Sequence, residues 1–359
     1  MTILHVRHKT TYTYRQPVQF GEHRLMSRPR DSHDLRLIDT ALVISPPASS
    51  MRWMHDVFGN SIAIASFSQP SAQLVIESSF RAEHYPAEAR EIVVEPHAEK
   101  FPFSYSAEDT ADLGRTKERH YPDPDHRIDA WAKDLLAQTP GGRTLDVLMA
   151  MTIATKKQFK YAAREEQGVQ TPLETLSLGS GSCRDLAVFM MEAARSLGLA
   201  ARFVSGYLYD ENLIGAPGGM VGGGATHAWV QVFLPGAGWV EYDPTNALIG
   251  GRNLIRVAVA RDASQAVPLA GTYTGNADDY VSMSVEVTVT TEQPTNTSLQ
   301  TPLPAQSADP QATQSEAPQT AASQPAQPEA PQTAGSQPGQ PEAPQPPIQR
   351  EAARSPSAA

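Results

Sequence analysis

The sequence contains a single cysteine, Cys183, among 359 residues. One thiol cannot close a disulfide within the chain, and it cannot supply a zinc site built from several thiolates. A disulfide framework and a cysteine-rich structural metal centre are therefore excluded. Two interpretations remain for Cys183: a small, inert residue in the core, or a reactive thiol.

Basic residues and long apolar runs are also scarce. The chain has 29 lysines and arginines against 39 aspartates and glutamates, a net charge of −10. A nucleic-acid-binding protein is expected to carry a basic surface, so that class is disfavoured. No stretch approaches the roughly 20 apolar residues of a membrane span, and the first residues do not resemble a signal peptide. Together with one free cysteine, these absences predict a cytoplasmic protein without membrane contact.

Aromatic residues disappear from about residue 291 onward, where Pro, Gln, Ala, Ser and Thr dominate. The segment E-A-P-Q-T-A at 316–321 recurs at 329–334, a period of 13 residues. This composition cannot bury enough apolar surface to offset chain entropy, so residues 291–359 are predicted to form a disordered tail. A spacer or solubilising role is favoured over the alternative that its glutamines serve the chain's own active site as acyl donors.

The remaining sequence predicts an α+β protein. Short β-forming runs punctuated by Pro and Gly predict an antiparallel, β-sandwich-like domain at 1–100, and a polar connector follows at 101–125. Helical spacing of apolar residues predicts helices at 128–136 and 144–159. They begin a predicted core domain at 126–290, in which helices pack on an antiparallel sheet.

Cys183 stands at the predicted start of the most regular helix in the sequence. Its apolar positions form one continuous stripe: Leu186, Phe189, Met190, Ala193, Ala194 and Leu197. Ser182 is suited to cap the start of this helix, and Gly198 is suited to end it in a left-handed conformation. A cysteine at a helix N-terminus faces unpaired backbone N–H groups and the positive end of the helix dipole. Both favour the thiolate form.

A thiolate nucleophile requires a base, and the base requires an orienting group. His227 opens a predicted strand at 226–234, and Asp243 ends the next predicted strand. The Pro-Gly-Ala-Gly turn between them predicts a hairpin, which would place His227 and Asp243 opposite each other at one end. Cys183, His227 and Asp243 are therefore the candidate catalytic residues. The structural alternatives are an ordinary half-buried histidine and an aspartate that only shapes a turn.

Several ordered motifs resemble the bacterial transglutaminase-like family, which is part of the papain-like cysteine enzymes. They are G-S-C-R-D at 181–185, F-V-S-G-Y-L at 203–208, H-A-W-V-Q-V-F at 227–233 and Y-D-P-T at 242–245. The segments at 5–14, 24–31 and 56–60 resemble the β module that precedes the core in that family. The similarity spans about residues 3–290. It implies a papain-like core in which Cys183 is the nucleophile, His227 the base and Asp243 the orienting acid.

The sequence departs from this family at Gln231, where a glutamate is common, so a role for that carboxylate does not transfer. The resemblance implies acyl transfer on a protein or peptide, with a glutamine carboxamide or peptide amide as donor and an amine such as lysine as acceptor. Two alternatives stay open. One is a cysteine peptidase or amidase, in which water resolves the thioester, and the other is a non-catalytic scaffold that retains the fold.

Neither a cofactor nor a metal site is predicted. The sequence contains no EF-hand-like loop, and His5 and His8 would point to opposite faces of a strand. The glycine-rich segment at 215–224 is not followed by a helix, which argues against a phosphate-binding loop. We expect it to be a mobile loop over the active-site cleft.

Overall fold

The computed structural model describes residues 2–85, 92–164, 168–209 and 225–292. The glycine-rich loop expected at 215–224 lies outside these ranges, as does the predicted tail beyond residue 292, so both stay predictions. Within the described ranges no helix is both long and apolar enough to cross a membrane.

The strands and helices are numbered here in chain order. The strands are β1 (Thr2–Leu25), β2 (Leu35–Ser45), β3 (Ser50–His55), β4 (Ser61–Ser66), β5 (Ser71–His84), β6 (Lys160–Tyr161), β7 (Ser180–Gly181), β8 (Ala201–Leu208), β9 (Thr226–Leu234), β10 (Gly238–Asp243), β11 (Leu248–Ile249), β12 (Leu254–Ala260), β13 (Leu269–Thr274) and β14 (Tyr280–Glu292). The helices are α1 (Ala107–Leu113), α2 (Arg127–Gln138), α3 (Thr144–Gln158), α4 (Pro172–Leu178) and α5 (Cys183–Ser196).

The N-terminal sheet is organised by β1, which is long enough to serve two groups of strands. Its first half pairs antiparallel with β5 on one side and with β14 on the other. Its second half pairs with β4 and β13. The pairing with β5 is interrupted between Thr13 and Val18, a stretch that contains Pro17, which cannot donate a ladder hydrogen bond. The predicted N-terminal antiparallel β structure is confirmed.

Strands β13 and β14 come from the end of the segment that the sequence assigned to the core, yet they lie in the N-terminal sheet beside β1. The chain thus returns to its first sheet after it has completed the second. Local strand propensity carries no information on which sheet a strand joins, because pairing partners are distant in sequence. The domain boundaries drawn from the sequence stay predictions.

The second sheet carries the helices. Its order is β11-β10-β9-β8-β12, and every neighbouring pair is antiparallel. Helix α5 packs on one face, where the predicted apolar stripe contacts alternate residues of β9 such as Ala228 and Val230. The expected helix ends are present: Ser182 is the N-cap, and Gly198 follows the last turn with a φ of 83°. The core of helices on an antiparallel sheet is confirmed.

The turn at 56–60 links the two sheets. It connects the antiparallel strands β3 and β4. The side chain of Asn60 is 2 % exposed and makes two hydrogen bonds with the backbone of Val259 in β12. Its Nδ2 donates to the carbonyl at 2.7 Å, and its Oδ1 accepts from the backbone N–H at 2.9 Å. This amide therefore joins the N-terminal sheet to the edge of the second sheet.

Replacing Asn60 with alanine is predicted to destabilise the protein by about 1–3 kcal/mol, because the Val259 backbone groups stay buried and lose their partners. Chemical denaturation would measure the change in the free energy of unfolding. The control is Val57→Ala in the same turn, where the side chain is 92 % exposed and little change is expected. Equal stability of the two variants would show that the Asn60 bonds do not hold the sheets together.

Candidate active site

The thiol of Cys183 lies at the first residue of α5, and the side chain is 7 % exposed. The Asp185 carboxylate fixes this helix start. Its Oδ2 accepts hydrogen bonds from the backbone N–H and the hydroxyl of Ser182, both at 2.8 Å. Its Oδ1 accepts from Arg164 at 2.9 Å and from the backbone N–H of Gln170 at 2.7 Å. Asp185 therefore has a structural role, because it closes the start of α5 and pairs with Arg164.

His227 and Asp243 form a fully buried hydrogen-bonded pair. Nε2 of His227 lies 2.8 Å from Oδ2 of Asp243. The carboxylate is held by three further donors: the backbone N–H groups of Thr245 and Asn246 reach Oδ1 at 2.9 and 3.3 Å, and the Asn246 side chain reaches Oδ2 at 2.9 Å. With both oxygens engaged, the carboxylate cannot rotate freely, and it fixes the orientation of the imidazole ring.

The register of the hairpin differs slightly from the expectation that His227 and Asp243 lie directly opposite. Tyr242 pairs with Val230, so the next step of an antiparallel ladder sets Asp243 across from Trp229. His227 is two residues further along the same face, a diagonal neighbour. The sequence showed that both residues lie near one end of the hairpin, but the turn alone did not fix the pairing to the residue.

The second ring nitrogen of His227 faces Cys183. Since Nε2 is taken by Asp243, only Nδ1 remains to face a nucleophile. Nδ1 is buried and has no nitrogen or oxygen partner among the described residues. The thiol of Cys183 acts on the pKa of His227 both through a hydrogen bond and through its charge, although the contact does not meet strict hydrogen-bond geometry. The structure thus brings together all three residues chosen from the sequence.

The electrostatics of the pair favour the charged forms of both partners. Burial by itself would lower the pKa of His227, but the charge and hydrogen bond of Asp243, with a contribution from Cys183, raise it well above its ordinary value. Burial would likewise raise the pKa of Asp243, yet the charge of His227 and the surrounding donors hold it below its ordinary value. The site therefore stabilises an imidazolium beside an aspartate.

Two residues beside the site were not identified as partners from the sequence. Trp229 stacks on His227, with ring centroids 5.9 Å apart and planes 27° apart, and its indole N–H donates to the Glu241 carboxylate. Glu241 could have been found from its strand position, because it alternates with Asp243 on one face of β10.

Tyr161 lies close to the Cys183 thiol. The short parallel pair β6–β7 sets Tyr161 across from Gly181, two residues before Cys183. Burial raises the pKa of Tyr161, and the charge of Cys183 adds to the shift. No spacing in the sequence indicated this contact, since it depends on a two-residue parallel pairing.

Two family profiles match this chain. Residues 4–83 match the bacterial transglutaminase-like N-terminal region, and residues 130–244 match the transglutaminase-like superfamily. The second match contains Cys183, His227 and Asp243. The chain belongs to the bacterial transglutaminase-like family. Within the described ranges no group of three or more His, Cys, Asp or Glu side chains is arranged to hold a metal ion.

Relatives of similar length occur in mycobacteria. An uncharacterised protein of Mycobacterium leprae is 28 % identical over 292 residues, which cover 79 % of this chain and 98 % of that protein. A second uncharacterised protein, from Mycobacterium tuberculosis, is 27 % identical over 297 residues, or 79 % of this chain and 91 % of that protein. Each match thus covers about four-fifths of this chain and most of the relative.

One solved structure shares the fold. A protein from Cytophaga hutchinsonii, provisionally assigned as a cysteine protease, superposes with a TM-score of 0.58 at 16 % identity, covering 80 % of this chain and 90 % of that one. The periplasmic domain of TgpA from Pseudomonas aeruginosa gives a TM-score of 0.34 at 15 % identity, over 67 % of this chain and 87 % of that one. The first of these supports the architecture.

The ion pair predicts a specific pH dependence. Because the pKa of His227 is raised on folding, its stabilising effect is fully present below the unfolded value of about 6.5 and is lost as the pH rises through the folded-state value. Because the pKa of Asp243 is lowered, its effect is present above about 3.9 and is lost as the pH falls through its folded-state value. Histidine NMR should therefore show His227 still protonated above neutral pH.

In Asp243→Asn, burial acts on His227 without the opposing charge, so its pKa is predicted to fall. The free energy of unfolding of this variant should lose the pH dependence that the wild type shows above neutral pH. Asp125→Asn, a change at an exposed aspartate, is the control, and in this variant the pKa of His227 should equal that of the wild type. An unchanged His227 titration in Asp243→Asn would contradict the ion pair.

Proposed function

We propose that this protein is a thiol-dependent acyltransferase that acts on glutamine carboxamides of a protein or peptide through a Cys183 thioester. The observation that carries the proposal is the buried His227–Asp243 pair, whose free ring nitrogen faces the thiol at the start of α5. Family membership supports the same chemistry. A cysteine enzyme needs this combination of a nucleophile, a base and a group that orients the base.

In the first half of the reaction, the Cys183 thiolate attacks the carboxamide carbon of the donor. The tetrahedral oxyanion lies near the start of α5, where the backbone N–H of the first helical residue has no acceptor within the helix. The His227 imidazolium gives its proton to the departing nitrogen, and ammonia leaves. The products of this half are a thioester on Cys183 and a neutral His227.

In the second half, an amine attacks the thioester carbonyl and gives a proton to His227. Collapse of the tetrahedral intermediate releases the thiolate of Cys183 and a new amide, which restores the starting imidazolium–thiolate pair. Throughout the cycle Asp243 holds the same imidazole tautomer and stabilises its charged form. The full cycle consumes one carboxamide and one amine, releases one ammonia, and needs no further reactant.

Hydrolysis is the second candidate function. Water in place of the amine would resolve the same thioester to an acid, as in a cysteine peptidase or amidase. The shared fold with the Cytophaga hutchinsonii protein, provisionally assigned as a cysteine protease, favours keeping this alternative. A non-catalytic scaffold is disfavoured, because such a role does not require the aligned Cys183, His227 and Asp243.

Product analysis with a glutamine-containing peptide tests the proposal. With a fluorescent primary amine present, we expect the amine to be incorporated and ammonia to be released. Cys183→Ala should abolish both products, and His227→Gln should slow them by about 100-fold or more, the usual contribution of a positioned acid–base group. Ammonia release with acid formation despite excess amine would identify an amidase, and backbone cleavage a peptidase. Equal product formation by Cys183→Ala would refute thiol catalysis.

A further inference from the structure

A cavity lies away from Cys183, on the face of the second sheet opposite α5. Its volume is about 600 Å³. The sheet contributes Arg202, Gln231, Trp239, Glu241 and Arg256, and the N-terminal domain contributes the 30–34 segment and the turn that holds Phe58 and Asn60. The cavity therefore lies where the two sheets face each other across the 56–60 turn.

Strand pairing fixes the spacing between this cavity and the active site. Arg202, Gln231 and Glu241 stand side by side on β8, β9 and β10. His227 lies four residues from Gln231 along β9, on the same face, and Trp229 lies between them. At about 3.3 Å per residue this separation is roughly 13 Å, so the cavity is a separate site.

Two carboxylates of the cavity, the buried Glu241 and the partly exposed Asp34, already have partners. Glu241 accepts hydrogen bonds from Trp229, from Gln231 at 2.6 Å and from Arg256 at 2.9 Å. Arg256 also holds both oxygens of Asp34, each at 3.1 Å. The Arg256 guanidinium thus pairs with both Glu241 and Asp34, and neither carboxylate forms an ion pair with a second arginine. A third lining carboxylate, Asp31, is on an exposed residue.

Arg202 is a second cation of the cavity, and no carboxylate of the described residues pairs with it directly. Its Nε donates to the neutral Gln231 amide at 2.6 Å, and its guanidinium stacks on Trp239 at 4.1 Å from the ring centroid. No carboxylate of the described chain lies within ion-pair distance of it, and its terminal nitrogens make no hydrogen bond to a described residue. Burial lowers the pKa of Arg202 to about 9, only partly opposed by the charge of Glu241.

A partly buried guanidinium with no directly paired anion gains from binding one, because burial costs part of its hydration and an ion pair restores favourable interactions. The two terminal nitrogens of an arginine form a planar fork that matches a carboxylate. The neighbouring Trp239 ring and Phe58 offer apolar surface for the carbon skeleton of a ligand. Arg30 adds positive charge near Arg202.

We propose that this cavity binds a carboxylate-bearing ligand, with Arg202 as the anchor of the carboxylate and Trp239 as the platform for its carbon chain. The carboxylate comes either from an acidic side chain of a peptide or from a free dicarboxylic acid. The inference concerns a separate site, and it does not depend on the proposed acyl transfer.

Isothermal titration calorimetry of the full-length protein tests this site with two probes, glutarate and N-acetyl-glutamate amide. The neutral counterparts, glutaramide and N-acetyl-glutamine amide, are the matched controls. We expect the acidic probes to bind and the neutral ones to bind at least about 10-fold more weakly, since an ion pair and two charge-assisted hydrogen bonds are lost. Tighter binding of glutarate would indicate a free dicarboxylate, and tighter binding of the amino-acid derivative an acidic peptide.

Arg202→Gln should weaken binding of the acidic probes at least about 10-fold, whereas Arg202→Lys, which keeps the charge but not the fork, should retain part of it. Cys183→Ala should bind as the wild type does, which separates this site from the active site. Arg36→Gln, a change at an exposed arginine, is the control for loss of surface charge. Equal binding of acidic and neutral probes, full binding by Arg202→Gln, or no binding by the wild type up to millimolar concentrations would overturn the proposal.

Discussion

The hydrogen bond between His227 and Asp243 is the interaction on which the chemistry of this protein depends. Two ionisable groups are buried together, and each stabilises the charged form of the other. Removing one partner would leave a buried charge without compensation, which is far more costly than losing an exposed ion pair. The donors around Asp243 keep the carboxylate in place, and the carboxylate keeps the imidazole in place.

The rest of the fold positions one sulfur atom against this pair. Helix α5 is buried along its length, and the Asp185 carboxylate closes its first turn, so the Cys183 backbone has little freedom. The hairpin β9–β10 presents His227 and Asp243 from the adjacent sheet. The N-terminal sheet covers the opposite side and is linked to the second sheet by Asn60. The two halves of the molecule thus form one support for the site.

Much of this arrangement could be predicted from the sequence, because its signals are local. The apolar stripe, Ser182 and Gly198 defined α5, and the strands around His227 followed from composition and spacing. The triad residues followed from chemistry: one thiol, one histidine at a strand start and one aspartate at the next strand end. Their proximity in the structure agrees with that choice.

What could not be predicted depends on contacts between distant segments. The return of β13 and β14 to the N-terminal sheet is a pairing between residues that are more than 240 positions apart, and no local pattern specifies it. The position of Tyr161 beside Cys183 depends on a two-residue parallel pair. That no described carboxylate pairs directly with Arg202 became visible only when the partners of Glu241 and Arg256 were known.

The central claim is that the His227–Asp243 pair makes Cys183 a nucleophile. The rate of alkylation by iodoacetamide tests it directly, because Cys183 is the single cysteine of the chain. At about pH 6, well below the ordinary thiol pKa of about 8.5, wild-type Cys183 should react much faster than in Asp243→Asn or His227→Gln. The difference should shrink at about pH 10, where ordinary thiols are ionised. Equal rates for all three proteins at about pH 6 would contradict the claim.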